Sequence, residues 1–433
     1  MWWRNLHNYP QTYPGATPGA GGFKSTYYVL SNGLDWTISP TLINQANFGI
    51  EGDAELFNPG NGFNYFQGQN QFVITPASLA NSGPQIFTPV IPSFVLPLPR
   101  DNPVWTLWDN LSWTRGKHTV TFGGDLRISN SHELEINNPP TEYLGLSALD
   151  TTALATIGPA NLPDINTTEP GDQDVVNAQA LYATLVGRIN YIAGSSWVNA
   201  ITHQYQIEGE GTNWEKQTVG GIYFQDSWRK TAHLTLNYGL RWQFTGAVHN
   251  TNGLWTGPTL SDLYGPSTGL FQPGTLNGDL NPQVNLRPDP YGGDFKEPAP
   301  NFGFAWTPTF DHGFLQKFSG GDNLVIRGGF SLSRFDEGWL PVDGATLFGN
   351  PGGTQTESLY PGGSSPLPGA ILGPPLTLAT NPTSFTFPQP QSEFFETGAS
   401  FSTVDPKIRP PYVEAWNFGI QRKLPGNTVF EMS

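Results

Sequence analysis

The sequence predicts an all-β protein: an antiparallel transmembrane β-barrel segment of about ten strands, with short turns at one end and long loops at the other. Three observations predict it. Apolar and polar residues alternate with a period of two, the pattern of a strand with one apolar and one polar face. The alternating stretches come in pairs joined by short turns. Between the pairs run four connections far longer than the roughly 15 residues beyond which loops become uncommon in compact domains. A transmembrane barrel repeats strand, short turn, strand and long loop in this order.

Composition excludes the main alternatives. Charged residues make up 13% of the 433, about half the usual share of about 25%. Aromatics make up another 13%, beside 51 glycines and 40 prolines. Such a chain is too aromatic for disorder and too rich in Gly and Pro for long helices. With no cysteine, disulfide frameworks and cysteine-ligated zinc or iron–sulfur sites are excluded. The net charge of −15 argues against nucleic acid as a partner, because phosphates need basic patches. The most apolar runs, such as Phe94 to Leu98, fall far short of the roughly 20 residues that carry a helix across a bilayer. The first 22 residues lack the charged start and apolar core of a signal peptide.

The elements follow in order. Tyr28, Leu30, Leu34, Trp36 and Ile38 share a face, and Ser39-Pro40-Thr41 turns this strand into Leu42–Glu51. Val104–Thr114 turns at Arg115-Gly116-Lys117 into a strand with Val120, Phe122, Leu126 and Ile128 on one face, and Asp125 and Arg127 on the other. Thr218–Arg229 turns at Lys230-Thr231-Ala232 into Leu234–Gln243, where Leu234, Leu236, Tyr238, Leu240 and Trp242 oppose Asn237, Arg241 and Gln243. Leu236 is expected near mid-strand. Asn301–Thr307 reaches Asn323–Phe335 through a longer turn, with Arg327 on the polar face. Tyr412–Arg422 turns at Leu424-Pro425-Gly426-Asn427 into Thr428–Glu431. The strand pairs thus lie near 27–51, 104–130, 218–243, 301–335 and 412–433, and the long loops near 52–103, 131–215, 245–300 and 336–411. One loop holds the sole helical candidate, Asp174 to Ile192. There Val175, Ala178, Leu181, Leu185 and Ile189 fall near helical spacing, and Asp172 or Asp174 can cap.

The hairpins DNLSWTRGKHTVTFGGDLR, YFQDSWRKTAHLTLNYGLRW, APNFGFAWTPTF with LVIRGGFSLSRF, and PYVEAWNFGIQRKLPGNTVFE resemble the barrel of TonB-dependent outer-membrane receptors of the Oar-like group. The resemblance extends from about residue 27 to the end. It implies a place in the outer membrane, contact with its lipid, and energised uptake of an unidentified extracellular ligand. It also implies a TonB complex engaged through a plug domain, and no plug is visible here. Barrels of such transporters have about 22 strands. About ten are expected here, so the 433 residues should be an open fragment of the barrel whose two end strands do not pair.

No catalytic or metal constellation emerges, and no cofactor is implied. His7, His118, His132, His203, His233, His249 and His312 are scattered, with no two at i, i+4. His118 and His233 follow short turns and read as interfacial. Asp226, Glu208 and Glu210 could form a glycosidase-like pair, but no spacing distinguishes them. Asp172, Asp174 and Asn177 lack the glycine and glutamate of a calcium loop. Substrate-binding residues cannot be named.

The most telling feature is tryptophan near strand ends: Trp36, Trp105, Trp113, Trp228, Trp242, Trp306 and Trp416. Three readings compete: a girdle at the membrane interface, a sandwich core, and sugar-stacking platforms. The opposite faces carry Arg127, Arg241 and Arg327, which a watery lumen accepts and a packed core does not. The girdle is therefore favoured. Three function classes follow: an active-transport receptor barrel, a passive porin or surface adhesin barrel, and a secreted glycan-binding β-protein.

Overall fold

The computed structural model describes residues 2–8, 23–57, 73–75, 98–136, 141–146, 150–158, 160–161, 174–207, 210–258, 284–287, 289–310, 312–321, 323–335, 349–350, 352–359, 402–426 and 428–433. Its strands are β1 (Trp2–Asn8), β2 (Phe23–Ser39), β3 (Leu42–Phe57), β4 (Val73–Thr75), β5 (Leu98–Asp101), β6 (Val104–Arg115), β7 (His118–Ile136), β8 (Thr141–Leu144), β9 (Ile189–Val198) and β10 (Tyr205–Ile207). They continue with β11 (Glu210–Thr231), β12 (Leu234–Thr245), β13 (His249–Asn250), β14 (Thr256–Gly257), β15 (Asn285–Leu286), β16 (Asp294–Trp306), β17 (Leu324–Arg334), β18 (Thr354–Leu359), β19 (Tyr412–Leu424) and β20 (Thr428–Met432). Among the described residues three helices, α1 (Thr151–Thr156), α2 (Asp174–Val186) and α3 (Gly313–Ser319), lie between strands.

One 13-stranded sheet forms the wall. It runs β1-β2-β3-β5-β7-β11-β12-β16-β17-β19-β20, with β6 between β3 and β7, and β13 beside β11. All its ladders are antiparallel. Among the described residues β1 and β20 do not pair with each other. β5 and β6 are one strand broken at Asn102-Pro103, where proline has no N–H to give the ladder. There the Asn102 N–H donates to the Asp53 carbonyl (3.0 Å), and the Asn130 N–H to the Pro103 carbonyl (3.0 Å).

All ten expected strands are present, and β1, which pairs with β2, adds an eleventh. Several run further than the alternation suggests. β7 continues to Ile136 and β11 begins at Glu210. The outer end of β11 carries polar residues on both faces, so its apolar contrast fades while the backbone ladder persists; on β7 the alternation resumes at Leu134 and Ile136 after polar Asn130 and His132. β16 begins at Asp294 despite Pro298 and Pro300. Its ladder with β17 starts only at Asn301, leaving both prolines on a locally open edge, where proline is tolerated.

The seven tryptophans all project from the apolar face, and register sets them in two lines. Trp36, Trp113, Trp228 and Trp306 lie toward the short turns; Trp105, Trp242 and Trp416 lie up the strands. Trp105 and Trp113 are eight residues apart on β6, about 27 Å along the strand and about 21 Å of height at a tilt of about 40°. Trp36 is 57% exposed and Trp416 71%, so neither is core of a sandwich. Leu236 pairs with Trp228 and is therefore level with the lower line, not at mid-strand. Phe224 stands between Trp228 and Ile222, the partner of Trp242.

The long loops are not structureless. β4, β8, β9, β10 and β18 make a second, small sheet, and β4–β8 is the one parallel pair among the described residues. The expected helix is shorter than 174–192. α2 stops at Val186 and Gly187 follows in the left-handed region (φ 71°); Ile189, placed on the helical face, begins β9. Asp174 sits in the first turn, and Asp172 is outside the described residues. α1 and α3 span two turns or less, too short to show a period of 3.6.

Candidate functional site

The polar face of β6, β7, β11 and β12 holds the densest polar wiring of the wall, and glycines make it possible. Arg241 on β12 reaches across β11 to Asp125 on β7. Gly221 lies beneath the guanidinium, and a β-carbon there would come within 2.7 Å of Arg241 Cζ. Both guanidinium nitrogens engage the carboxylate: Nη1 donates to Oδ1, and Nη2 to Oδ2 at 3.0 Å. This two-point geometry suits arginine and fixes both side chains. Arg241 Nε also donates to Gln243 Oε1 (3.3 Å). Gly123 is crossed in the same way by the Tyr223 ring, whose hydroxyl donates to Asn110 Oδ1 (3.3 Å). Paired glycines inside a strand mark such close approaches, and Gly123-Gly124 and Gly220-Gly221 are legible as that signal in the sequence.

Around the ion pair Thr106, Trp108, Asp125, Arg127, Arg241 and Gln243 line a recess of about 270 Å³. Trp108 is the tryptophan that faces this side, unlike its neighbours Trp105 and Trp113. Arg327, two strands along, donates to Gln421 on β19. The three arginines singled out by alternation thus share the polar face; Arg241 is paired two strands away and Arg327 on the adjacent strand.

Above the recess the wall becomes acidic. Glu55, Arg100 and Glu133 are neighbours in register across β3, β5 and β7, and Arg100 Nε donates to Glu133 Oε1 (2.8 Å). Partial burial, followed by the Asp53 carboxylate, raises Glu55 from its ordinary value against the lowering pull of Arg100. This group stands beyond the upper tryptophan line.

A cap of loop segments sits against the outer part of the polar face. Trp255, fully buried, donates from Nε1 to Asn213 Oδ1 on β11 (3.0 Å). It packs with Val248 and Tyr291, flanked by Ala247, Val404 and Ile408. Asn350 ties two of the long connections together: its Nδ2 donates to the carbonyls of Thr256 (2.6 Å) and Ser402 (2.7 Å), and its Oδ1 accepts from the Ser402 N–H (2.7 Å). Tyr205 Oη donates to the Gly352 carbonyl (2.7 Å), and β18 pairs with β9. Sequence reasoning missed Trp255, Asn213 and Asn350, which lie in polar or irregular stretches with no periodic signal.

The other singled-out residues scatter. Asp226 is buried on the apolar face, where Tyr238 Oη donates to its Oδ2 (2.7 Å) and His118 Nδ1 stands 2.7 Å from the same oxygen. Glu210 is exposed at the start of β11, far along the strand from Asp226, and Glu208 is outside the described residues. His249 meets Asp289 (2.7 Å), His132 packs on Trp214, and His312 precedes α3. Among the described residues no three His, Asp or Glu side chains gather as a metal site. No helix is long and apolar enough to cross a membrane, which does not bear on strands.

No curated protein matches the chain. Among solved structures it is similar to the copper transporter OprC, at 12% identity and a TM-score of 0.34, over 93% of this chain and 36% of that one. A second similarity is to the toluene transporter TodX of Pseudomonas putida, at 10% identity and a TM-score of 0.13, over 73% of this chain and 75% of that one. The chain spans about a third of the copper transporter's length, and at these scores neither likeness bears on ligand or mechanism. The family described as Outer membrane beta barrel domain matches residues 1–433, the whole chain. With its antiparallel wall, apolar outer face and polar inner face, the chain belongs to the outer membrane β-barrel domain family, and its place is the outer membrane.

Proposed function

We propose that this barrel wall belongs to a TonB-dependent receptor of the Oar-like type and serves energised uptake of an extracellular ligand, without chemistry on that ligand. The TonB complex would act through a plug domain outside these 433 residues. The observation that carries the reading is the cap. Segments of two long connections are tied at Asn350, a third joins through Tyr205 and the β9–β18 pair, and the cover is seated on the polar face through Trp255 and Asn213. A polar lumen under a packed cover suits a captured, gated ligand better than free diffusion. The recess at Trp108, Arg127 and the Arg241–Asp125 pair is the contact surface such a ligand would meet, since it offers an aromatic plate beside fixed charges.

Uptake in living cells tests this. Cells carrying the receptor should take up its ligand, identified by screening culture-medium solutes for accumulation. Uptake should vanish when TonB is deleted or the proton-motive force is collapsed. Uptake that persists under both conditions would assign the barrel to passive diffusion.

A further inference from the structure

The lipid-facing side carries a polar spot at the depth where hydrocarbon has nothing to offer it. Along β6 the outward residues run Trp105, Leu107, Asp109, Leu111, Trp113, and Asp109 is four residues from each tryptophan. It is exposed, and the Asn44 amide donates to both its carboxylate oxygens at 3.1 Å. On β2 the outward Asn32 is likewise four residues from Tyr28 and from Trp36, and exposed. Among the described residues nothing hydrogen-bonds its side chain. The residues opposite Asp109 are Ala46 on β3 and Gly124 on β7, so the carboxylate stands in a dent that another surface can approach closely.

Acyl chains cannot donate a hydrogen bond, so lipid adds nothing to the single Asn44 amide at Asp109 and offers no partner to the Asn32 carbonyl. An ionisable side chain at this depth is a functional signal by default. The arrangement also supplies its own complement. Asn32 and Asp109, each four residues from its own tryptophan, stand on either side of β3, about 12 Å apart across two strand spacings and a two-residue offset in register. A two-fold axis along the membrane normal, passing through β3 between Ala46 and Phe48, sets Asp109 of each copy against Asn32 of the other. Amide then meets carboxylate twice, small residues let the walls close, and Phe48, 37% exposed, meets its own counterpart near the axis. Such a self-complementary patch is what a two-fold contact requires, and polar side chains hold chains together in lipid. We propose that the outward face of β2, β3 and β6 is a homodimer interface in the outer membrane, with a second copy of this chain as its occupant.

These 433 residues hold no cysteine, so the introduced thiol is the one that this wall contributes. In outer membranes, full-length Phe48→Cys should oxidise to a covalent dimer, while Phe302→Cys, outward on the distant β16, should not. Adding Asn32→Leu and Asp109→Leu to Phe48→Cys should lower the cross-linked fraction at least tenfold. Heat-modifiable migration in gels should remain, since leucine suits a lipid-facing site. No cross-link at Phe48→Cys, equal cross-linking at Phe302→Cys, a product of a mass other than twice the chain, or cross-linking indifferent to the two leucines would each overturn the proposal.

Discussion

The lower half of β11, residues 218–228, and the loop stretch 246–258 draw on the same residue types: glycine, tryptophan, threonine and an amide. In β11 the backbone is paired on both sides by β7 and β12. The side chains are therefore free to sort by face, Phe224 and Trp228 outward, Tyr223 and Gln225 inward. In 246–258 the wall's ladder ends at Asn250, only the two-residue β14–β15 pair follows, and side chains take over much of the work. Asn250 Oδ1 accepts the Leu254 N–H (3.1 Å), Asn350 binds Thr256, and Arg287 Nε donates to the Gly257 carbonyl (3.1 Å). The wall is held by a repeating backbone lattice that tolerates most side chains so long as their face is right. The cap is held by side-chain amides such as Asn213, Asn250 and Asn350 and by the buried Trp255.

That contrast can be broken from either side. The largest effect is expected in the wall. Phe224→Arg puts a charge in the middle of the apolar face and should cost about 2–4 kcal/mol, whereas Arg at the luminal Gln225 should cost far less and Leu236→Arg, at the interface, about 0–1 kcal/mol. Folding titrations into bilayers measure all three, and equal costs would contradict the assigned faces and depths. In the cap, Asn350→Ala strands a buried carbonyl or N–H and should cost about 1–3 kcal/mol. Hydrogen exchange should speed up at Thr256 and Ser402 while β11 keeps its protection; loss of protection throughout would mean that wall and cap fold as one unit.

The smallest effect is one of pH. Glu55 has its affinity for the proton raised by burial and by Asp53. The folded state thus holds that proton to higher pH than the unfolded chain does. Its contribution to stability is full below the ordinary carboxylate pKa and is lost as pH rises through the raised folded value. The outer end of β3 should therefore exchange more slowly, after correction for intrinsic rates, at pH 4 than at pH 7, and Glu55→Gln should remove the difference.

The same contrast explains what the sequence discloses. A period of two is enforced wherever one face meets lipid, so Leu234–Trp242 or Val120–Ile128 reveals strand, face and partner at once. The Arg241–Asp125 pair is half legible: alternation puts both on the polar face, but their contact depends on Gly221 clearing a path across β11. Beyond the tryptophan lines the constraint ends. β11 begins with Glu210, Thr212, Asn213 and Lys216, polar on both faces, and cannot be told from loop there, while β7 resumes its alternation at Leu134 and Ile136 only after polar Asn130 and His132. The prolines of β16 hide a real strand because its neighbour ladder starts late. Trp255 and Asn350 act through contacts with residues about 40 to 100 positions away, which no local pattern encodes. Asp109 was visible on the apolar face of β6 by parity alone, and only the two tryptophan lines give it a depth.

The most direct test of the two-faced wall uses single cysteines at Phe224 and Gln225, adjacent in sequence and expected on opposite sides of one strand. Each is spin-labelled in the full chain folded into bilayers, and its collisions with oxygen and with a water-soluble nickel chelate are compared. The account predicts high oxygen and low nickel accessibility at Phe224, and the reverse at Gln225, repeating with a period of two at Leu240 and Arg241 on β12. The same accessibility at both members of each pair, or a reversed order, would contradict it.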